Sequence, residues 1–173
     1  MHWIRKIIFC VLFGLATCDI ECFKESLSKC HNETDHIKDM SYCGLQPFLT
    51  GCVSVAATEC KKPFADAAKK ADDVLTDFCT EGKPFFEALK NDENCDMHTF
   101  SDPDCDPQGN VKRMVDRRSN DEDNLYCENL GSNRECMFEH FKKCSTEDAQ
   151  KAFQTLYESM LGLFKGLCYL NGS

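Results

Sequence analysis

Tyr42 to Cys60 reads YCGLQPFLTGCVSVAATEC, and Tyr126 to Cys144 reads YCENLGSNRECMFEHFKKC. In both stretches a tyrosine leads three cysteines spaced C-x8-C-x7-C, and the second stretch lies 84 residues after the first. A cysteine pair precedes each triplet and one more cysteine follows it. Because a repeated spacing indicates a duplicated architecture, we predict two similar halves, about 19–83 and 91–173. The predicted disulfide cysteines are Cys22, Cys30, Cys43, Cys52, Cys60, Cys79, Cys95, Cys105, Cys127, Cys136, Cys144 and Cys168.

A helical period runs through nearly the whole chain, because apolar side chains recur every three or four residues and no run alternates as a strand does. Pro63 and Pro84 stand where a third and a fourth helix are predicted to begin, since proline is favoured in the first helical turn. Ser132 with Glu135 forms a capping-box pattern, and Thr146 can cap the longest helix. We therefore predict an all-α, disulfide-stapled domain of about six helices. The predicted core stripes of the third and the last helix are Phe64, Ala67, Ala71, Val74, Leu75 and Phe78, and Ala149, Phe153, Leu156, Met160, Phe164, Leu167 and Cys168.

The cysteine spacing also restricts which bonds can form. Two cysteines eight residues apart on one helix are about 12 Å apart along its axis, whereas a disulfide needs Cα atoms within about 7 Å. Each cysteine must therefore reach a neighbouring element. Packing consecutive helices antiparallel predicts the pairs Cys30 with Cys43, Cys22 with Cys52, Cys105 with Cys127, and Cys95 with Cys136.

A long acidic segment, residues 91–124, separates the helical stretches. It is rich in Asp, Asn and Pro, which indicates a loop, and Cys95 and Cys105 tie it down. Two dibasic pairs end at Arg113 and Arg118 and are candidate processing sites, although they can equally be cations that partly neutralise the loop.

The N-terminus has the pattern of an export signal. A short basic region precedes an apolar run about half as long as a membrane helix needs. Small residues allow cleavage after Ala16 or after Cys18. Cleavage after Ala16 leaves thirteen cysteines, one of which could pair between chains, whereas cleavage after Cys18 leaves twelve, and an even number suits a secreted disulfide framework. We therefore predict a signal peptide at 1–18, a cysteine-rich helical domain at 19–173, a secreted, extracellular protein and no stable membrane anchor.

The charge and the sequons bear on partners. The chain carries 29 acidic against 20 basic residues, and such an excess of negative charge disfavours nucleic acid, whose phosphates require clustered Lys and Arg. Asn32 and Asn171 each begin an N-glycosylation sequon. The expected partner is an extracellular protein or a small hydrophobic ligand.

The sequence contains no motif that supports catalysis. The histidines show no zinc-ligand spacing, and neither a nucleophile elbow nor a phosphate-binding loop occurs. We therefore predict no enzymatic activity, no cofactor and no metal. The expected function is a binding or structural role in an extracellular fluid. The alternatives are a venom or salivary effector, a carrier of a small hydrophobic ligand lined by the apolar stripes, and a hydrolase.

The paired cysteine segments, the helix that closes at Cys79 and the long helix to Cys168 resemble the secreted cysteine-rich proteins of arthropods typified by haemolymph glycoproteins. Nematode secreted proteins share that domain family, whose function is unknown. The resemblance covers nearly the whole chain after residue 18. It implies an extracellular helical disulfide protein and carries over no active-site residue.

Overall fold

The computed structural model describes residues 16–31, 41–95, 105, 127 and 130–171. Within these ranges the chain forms six helices and no strand, so the all-α prediction is confirmed. In chain order the helices are α1 (Ala16–His31), α2 (Tyr42–Glu59), α3 (Ala65–Cys79), α4 (Pro84–Lys90), α5 (Arg134–Phe141) and α6 (Glu147–Asn171).

The chain divides into two compact units, Met1–Asp72 and Asp73–Ser173, which we call unit 1 and unit 2. The boundary falls inside α3. In unit 1, α1 packs against α2, and in unit 2 both α4 and α5 pack against α6.

The junction between α2 and α3 differs from the prediction. The Lys61 N–H donates to the Thr58 carbonyl at 3.1 Å and the Lys62 N–H to the Ala57 carbonyl at 2.8 Å, which is the Schellman arrangement that closes a helix. Lys61 takes the left-handed conformation that this arrangement requires, with φ of 51°. Because these residues complete the end of α2, Pro63 lies in the following turn and α3 begins at Ala65 instead.

Of the other predicted helix starts, two are confirmed and one is wrong. Pro84 opens α4, and the Thr146 hydroxyl oxygen accepts a hydrogen bond from the Ala149 N–H at 3.1 Å at the start of α6. The predicted capping box of Ser132 and Glu135 does not form, because the turn at Gly131 moves the start of α5 to Arg134.

Gly131 makes that turn possible. Its φ is +84°, a conformation that side chains disfavour, and an added Cβ would lie 3.1 Å from the Leu161 side chain. The residue that caps α5 is Asn133, whose side chain forms no capping hydrogen bond. Its Oδ1 instead accepts a hydrogen bond from the Tyr157 hydroxyl at 2.6 Å.

The interior of unit 1 is small. The rings of Phe23 and Phe64 meet edge to face with centroids 5.7 Å apart, and most of the other buried apolar side chains are alanines. In the α3 stripe, Ala67 and Val74 are only half-buried. The buried apolar residues of unit 1 are Phe23, Cys52, Ala56, Ala57, Cys60, Phe64, Ala68 and Ala71.

The interior of unit 2 is built from aromatic rings around α6. Phe141 and Phe153 stack with centroids 5.3 Å apart, and Phe78 meets Phe153 edge to face at 5.5 Å. Because α4 and α5 cover α6, its buried surface is wider than the predicted stripe. Ala149, Phe153 and Leu156 are buried as predicted, whereas the rest of that stripe is half-buried, and the further buried residues are Ala152, Tyr157, Ser159, Leu161 and Leu163.

Candidate functional site

The most extensive chemical feature of the molecule is its disulfide framework. All twelve cysteines after residue 18 are disulfide-bonded. Five pairs, with Cα separations between 5.1 and 5.8 Å, are Cys22–Cys60, Cys30–Cys52, Cys95–Cys144, Cys105–Cys136 and Cys127–Cys168. In the order of the cysteines, the first bonds to the fifth and the second to the fourth in both halves. One bond therefore lies inside the loop closed by the other, and this nested arrangement is repeated together with the cysteine spacing.

The predicted pairing is wrong in each half. The observed partner is in every case the next cysteine along the chain after the predicted one. Cys22 and Cys30 are eight residues apart, as are Cys52 and Cys60, so antiparallel packing of α1 on α2 can place both pairs opposite each other. The predicted partners of α1 were Cys43 and Cys52, which are nine residues apart. The equal spacing was the signal in the sequence that identifies the correct register.

The same correction applies to the second half. Cys105 bonds to Cys136, not to Cys127, and Cys95 bonds to Cys144, not to Cys136. Cys127 is instead joined to Cys168, near the end of α6. Two bonds therefore attach the acidic segment to α5 and to the turn after it. A third bond attaches Cys127 to α6.

A buried carboxylate supports the second half of this framework. Asp92 is 9% exposed. Its carboxylate accepts hydrogen bonds from the Thr146 N–H and the Asn94 N–H, each at 3.0 Å. Burial alone raises the pKa of Asp92, but hydrogen bonds from Ser145, Asn94 and Thr146 outweigh burial and lower the pKa. Asp92 therefore joins the chain before Cys95 to the N-terminus of α6 as an ionised group.

Two tyrosines are perturbed by their surroundings. Burial raises the pKa of Tyr42, the first residue of α2, to about 12. Burial and then the charge of Glu158 raise the pKa of Tyr157, while Arg134 acts in the opposite direction. Both phenols stay neutral at physiological pH, and Tyr157 serves as a hydrogen-bond donor to Asn133.

A histidine lies beside one of the disulfides. The sulfur atoms of Cys105 and Cys136 and a ring nitrogen of His140 are all within 4.8 Å of one another. Cys136 and His140 are four residues apart on α5, so they share one face of that helix. The sequence predicted no metal, because it contains no C-x-x-C pair and its histidines show no spacing typical of zinc ligands. The C-x3-H spacing of Cys136 and His140 was the signal that could have identified this group.

Two open grooves occur in unit 2. The first, of about 430 Å³, is lined by Asp73, Val74, Thr76, Asp77, Lys83 and Phe85. The second, of about 500 Å³, is lined by Arg134, Glu135, Cys136, Phe138, Glu139, Lys142 and Gln154. In the second groove, Arg134 lies over the Phe138 ring at 4.3 Å and pairs with Glu158 at 2.6 Å. At least half of the residues that line each groove are charged, and both grooves are open to solvent, so polar or ionic surfaces suit them better than a fatty chain.

Several residues selected from the sequence lie outside the described ranges. They are Asn32, Arg113 and Arg118, so their glycosylation and processing stay predictions. Asn171 is the last residue of α6, and its glycosylation also stays a prediction. In the described part of the chain, no helix combines the length and the apolar composition that crossing a membrane requires.

Comparison of the chain with protein-family models, curated proteins and solved structures found no match. The resemblance to arthropod haemolymph glycoproteins therefore stays a prediction based on cysteine spacing and helix pattern.

Proposed function

We propose that this chain is a secreted protein with a binding or structural role in an extracellular fluid and that it acts without catalysis. The observation that carries the proposal is the repeated, nested disulfide framework. Disulfides persist in oxidising compartments and are rare in the cytosol. A chain that commits twelve cysteines to structural bonds is suited to an environment outside the cell.

The described polar groups further support a scaffold. Asp92 is committed to the N-terminus of α6, the Tyr157 hydroxyl to Asn133, and Thr146 to the cap of α6. Each of these groups has a structural partner. Asp92 and Tyr157, two of the three described side chains whose pKa is shifted, thus serve the fold, which favours a binding or structural role over an enzyme.

The nature of the two grooves favours a protein or polar partner. Both are open and include charged residues of either sign in their walls, whereas ligand pockets for fatty molecules are enclosed. Of the two classes of partner, we therefore favour an extracellular protein over a small hydrophobic ligand.

The proposal is tested by expressing the full chain in a secreting eukaryotic cell. We expect protein in the medium that begins at Asp19, carries all twelve remaining cysteines in disulfides and shows a glycan that disappears in Asn32→Gln. Retention inside the cell with free thiols would contradict the proposed location.

Native mass spectrometry of the same material tests the role. We expect co-purified protein partners without bound lipid, and no turnover on a panel of esters, glycosides and peptides. Bound lipid would favour the carrier, and turnover abolished by a single substitution would favour a hydrolase.

A further inference from the structure

Three potential soft metal ligands meet at the disulfide between Cys105 and Cys136. Their sulfur atoms and a ring nitrogen of His140 lie within 4.8 Å of one another. In the oxidised chain the two sulfurs are bonded to each other and do not act as metal ligands, because the ligand form of cysteine is the thiolate. Opening this bond by reduction would leave two thiols and an imidazole around one point.

We propose that reduction of Cys105–Cys136 creates a metal site in which the two thiolates and His140 bind zinc. Two molecules of a small thiol such as glutathione supply the two electrons and become one glutathione disulfide, while the Cys105–Cys136 bond breaks and leaves two thiols. Zinc then displaces the two thiol protons to solvent. Sulfur and imidazole ligands are the set that zinc prefers in proteins.

The geometry fits such a site with small movements. Tetrahedral zinc, with Zn–S of about 2.3 Å and Zn–N of about 2.0 Å, needs ligand atoms roughly 3.5 to 3.8 Å apart. The nitrogen lies within 4.8 Å of both sulfurs, and the two sulfurs reach the required range by separating less than about 2 Å, which rotation of the cysteine side chains can supply. The Cα atoms, 5.5 Å apart, can keep their places.

The site is accessible on one side. Cys136 and His140 are half-exposed and Cys136 lines the second groove, whereas Cys105 is only 4% exposed. A thiol can therefore attack the disulfide at the Cys136 sulfur, a metal ion can approach from the same side, and a water molecule can complete the fourth zinc position. The Cys95–Cys144 pair of the same unit provides an internal comparison. Both of its cysteines are only 4% exposed, and no third ligand of this kind accompanies it among the described residues.

The test uses the full oxidised chain in a series of glutathione redox buffers with and without zinc. Differential alkylation and mass spectrometry measure which disulfides open. Because zinc binds only the reduced pair, zinc at a hundred times its Kd should raise the reduced-to-oxidised ratio of Cys105–Cys136 about 100-fold. The ratio for Cys95–Cys144 should not change.

The His140→Ala variant should lower this zinc response at least tenfold while its oxidised form keeps the wild-type helical content. Lys143→Ala is the matched control. It removes an ammonium that lies 3.4 Å from His140 Nδ1 and leaves all three ligands, so its response should equal or exceed that of the wild type. On the unmodified chain, zinc should protect His140 from acylation by diethylpyrocarbonate only after reduction.

Three results would overturn the proposal. One is an unchanged opening of Cys105–Cys136 in zinc. Another is a His140→Ala variant that responds as the wild type does, and the third is an equal response of Cys95–Cys144. If His140→Ala does not fold, absence of His140 protection in the wild type decides against the proposal in the same way.

Discussion

In unit 1 the disulfides Cys22–Cys60 and Cys30–Cys52 join two packed helices, α1 and α2. In unit 2 the corresponding bonds start from Cys95 and Cys105, which lie outside the six helices, and end on α5 and the turn after it. The order of the bonds is the same, but the elements that they join are not. The duplicated feature is therefore the covalent framework, and each unit completes it with a different interior.

The two interiors differ in the amount of apolar surface they bury. Unit 1 relies largely on alanines and one pair of phenylalanine rings, whereas unit 2 stacks several rings against α6. Since hydrophobic stabilisation grows with buried apolar area, unit 1 should depend more on its disulfides. The following substitutions test this difference.

Removing a disulfide from unit 1 should cause the largest decrease in the free energy of unfolding. Closing the loop of Cys22–Cys60, with a sequence separation of 38, stabilises by about 4 kcal/mol through the entropy of the unfolded chain. In Cys22→Ala with Cys60→Ala we expect that loss and collapse of amide hydrogen-exchange protection in α1.

The matched control in unit 2 is Cys95→Ala with Cys144→Ala, whose sequence separation of 49 gives nearly the same entropic term. Here the aromatic interior should preserve protection in α6. Equal loss of protection in both variants would show that the interiors do not differ in the way described.

Removing an aromatic ring from unit 2 should have the next largest effect. Phe153 is fully buried and contacts both Phe78 and Phe141. Phe153→Ala should lower the free energy of unfolding by at least about 3 kcal/mol, measured by urea denaturation. Tyr169→Ala, at a side chain that is 78% exposed, should change it by less than about 0.5 kcal/mol.

Asp92 should make unit 2 sensitive to acid. Its pKa is lowered in the folded state, so its contribution is complete above about pH 5 and is lost as the pH falls through the folded pKa. Asp92→Asn should cost about 2 kcal/mol at neutral pH and weaken the decline of stability in acid. Urea denaturation at neutral and at acid pH measures both effects, and an acid profile of Asp92→Asn equal to that of the wild type would contradict this role.

The hydrogen bond between Tyr157 and Asn133 should contribute less to the free energy of unfolding than Asp92 does. Tyr157→Phe removes the hydroxyl donor and leaves the ring in its packing, so we expect a loss of about 1 kcal/mol. The same variant should not change the unfolding of unit 1. A cost above that of Asp92→Asn would mean that this bond organises α5 more strongly than its geometry suggests.

The smallest expected effect is an increase in the free energy of unfolding of unit 1. Lys61 has a φ of 51°, whereas the positive-φ residues described in unit 2, Gly82 and Gly131, are glycines. Lys61→Gly should therefore raise stability by about 0.5 to 1 kcal/mol. Gly131→Ala gives the opposite sign, because its Cβ would press on Leu161.

Much of this arrangement could be predicted from the sequence because it depends on local chemistry. Helical periodicity, Pro84 and Thr146 identified helices whose presence and caps follow from neighbouring residues. The starts of α3 and α5 could not be identified in this way, because each depends on a turn in the left-handed conformation. At Lys61 the sequence carries no glycine to indicate that turn.

The disulfide register and the His140 group were missed for a different reason. Both depend on how far one element slides along another, which is tertiary information. In unit 1 the signal is the equal spacing of two cysteine pairs, eight residues apart on α1 and eight apart at the end of α2, and it gives the register only once antiparallel packing is assumed. Likewise, Cys136 and His140 share a helix face in the sequence, whereas the position of Cys105 beside them requires the fold.

The central claim is that both halves of the chain close the same nested disulfides. Peptide mapping under non-reducing conditions tests it directly, since trypsin, glutamyl endopeptidase and chymotrypsin cut between the cysteines, for example at Lys24, Phe48 and Glu59. We expect linked peptides for Cys22–Cys60 and Cys30–Cys52 in the first half and for Cys95–Cys144 and Cys105–Cys136 in the second. Peptides that join Cys22 to Cys52, or Cys95 to Cys136, would contradict it.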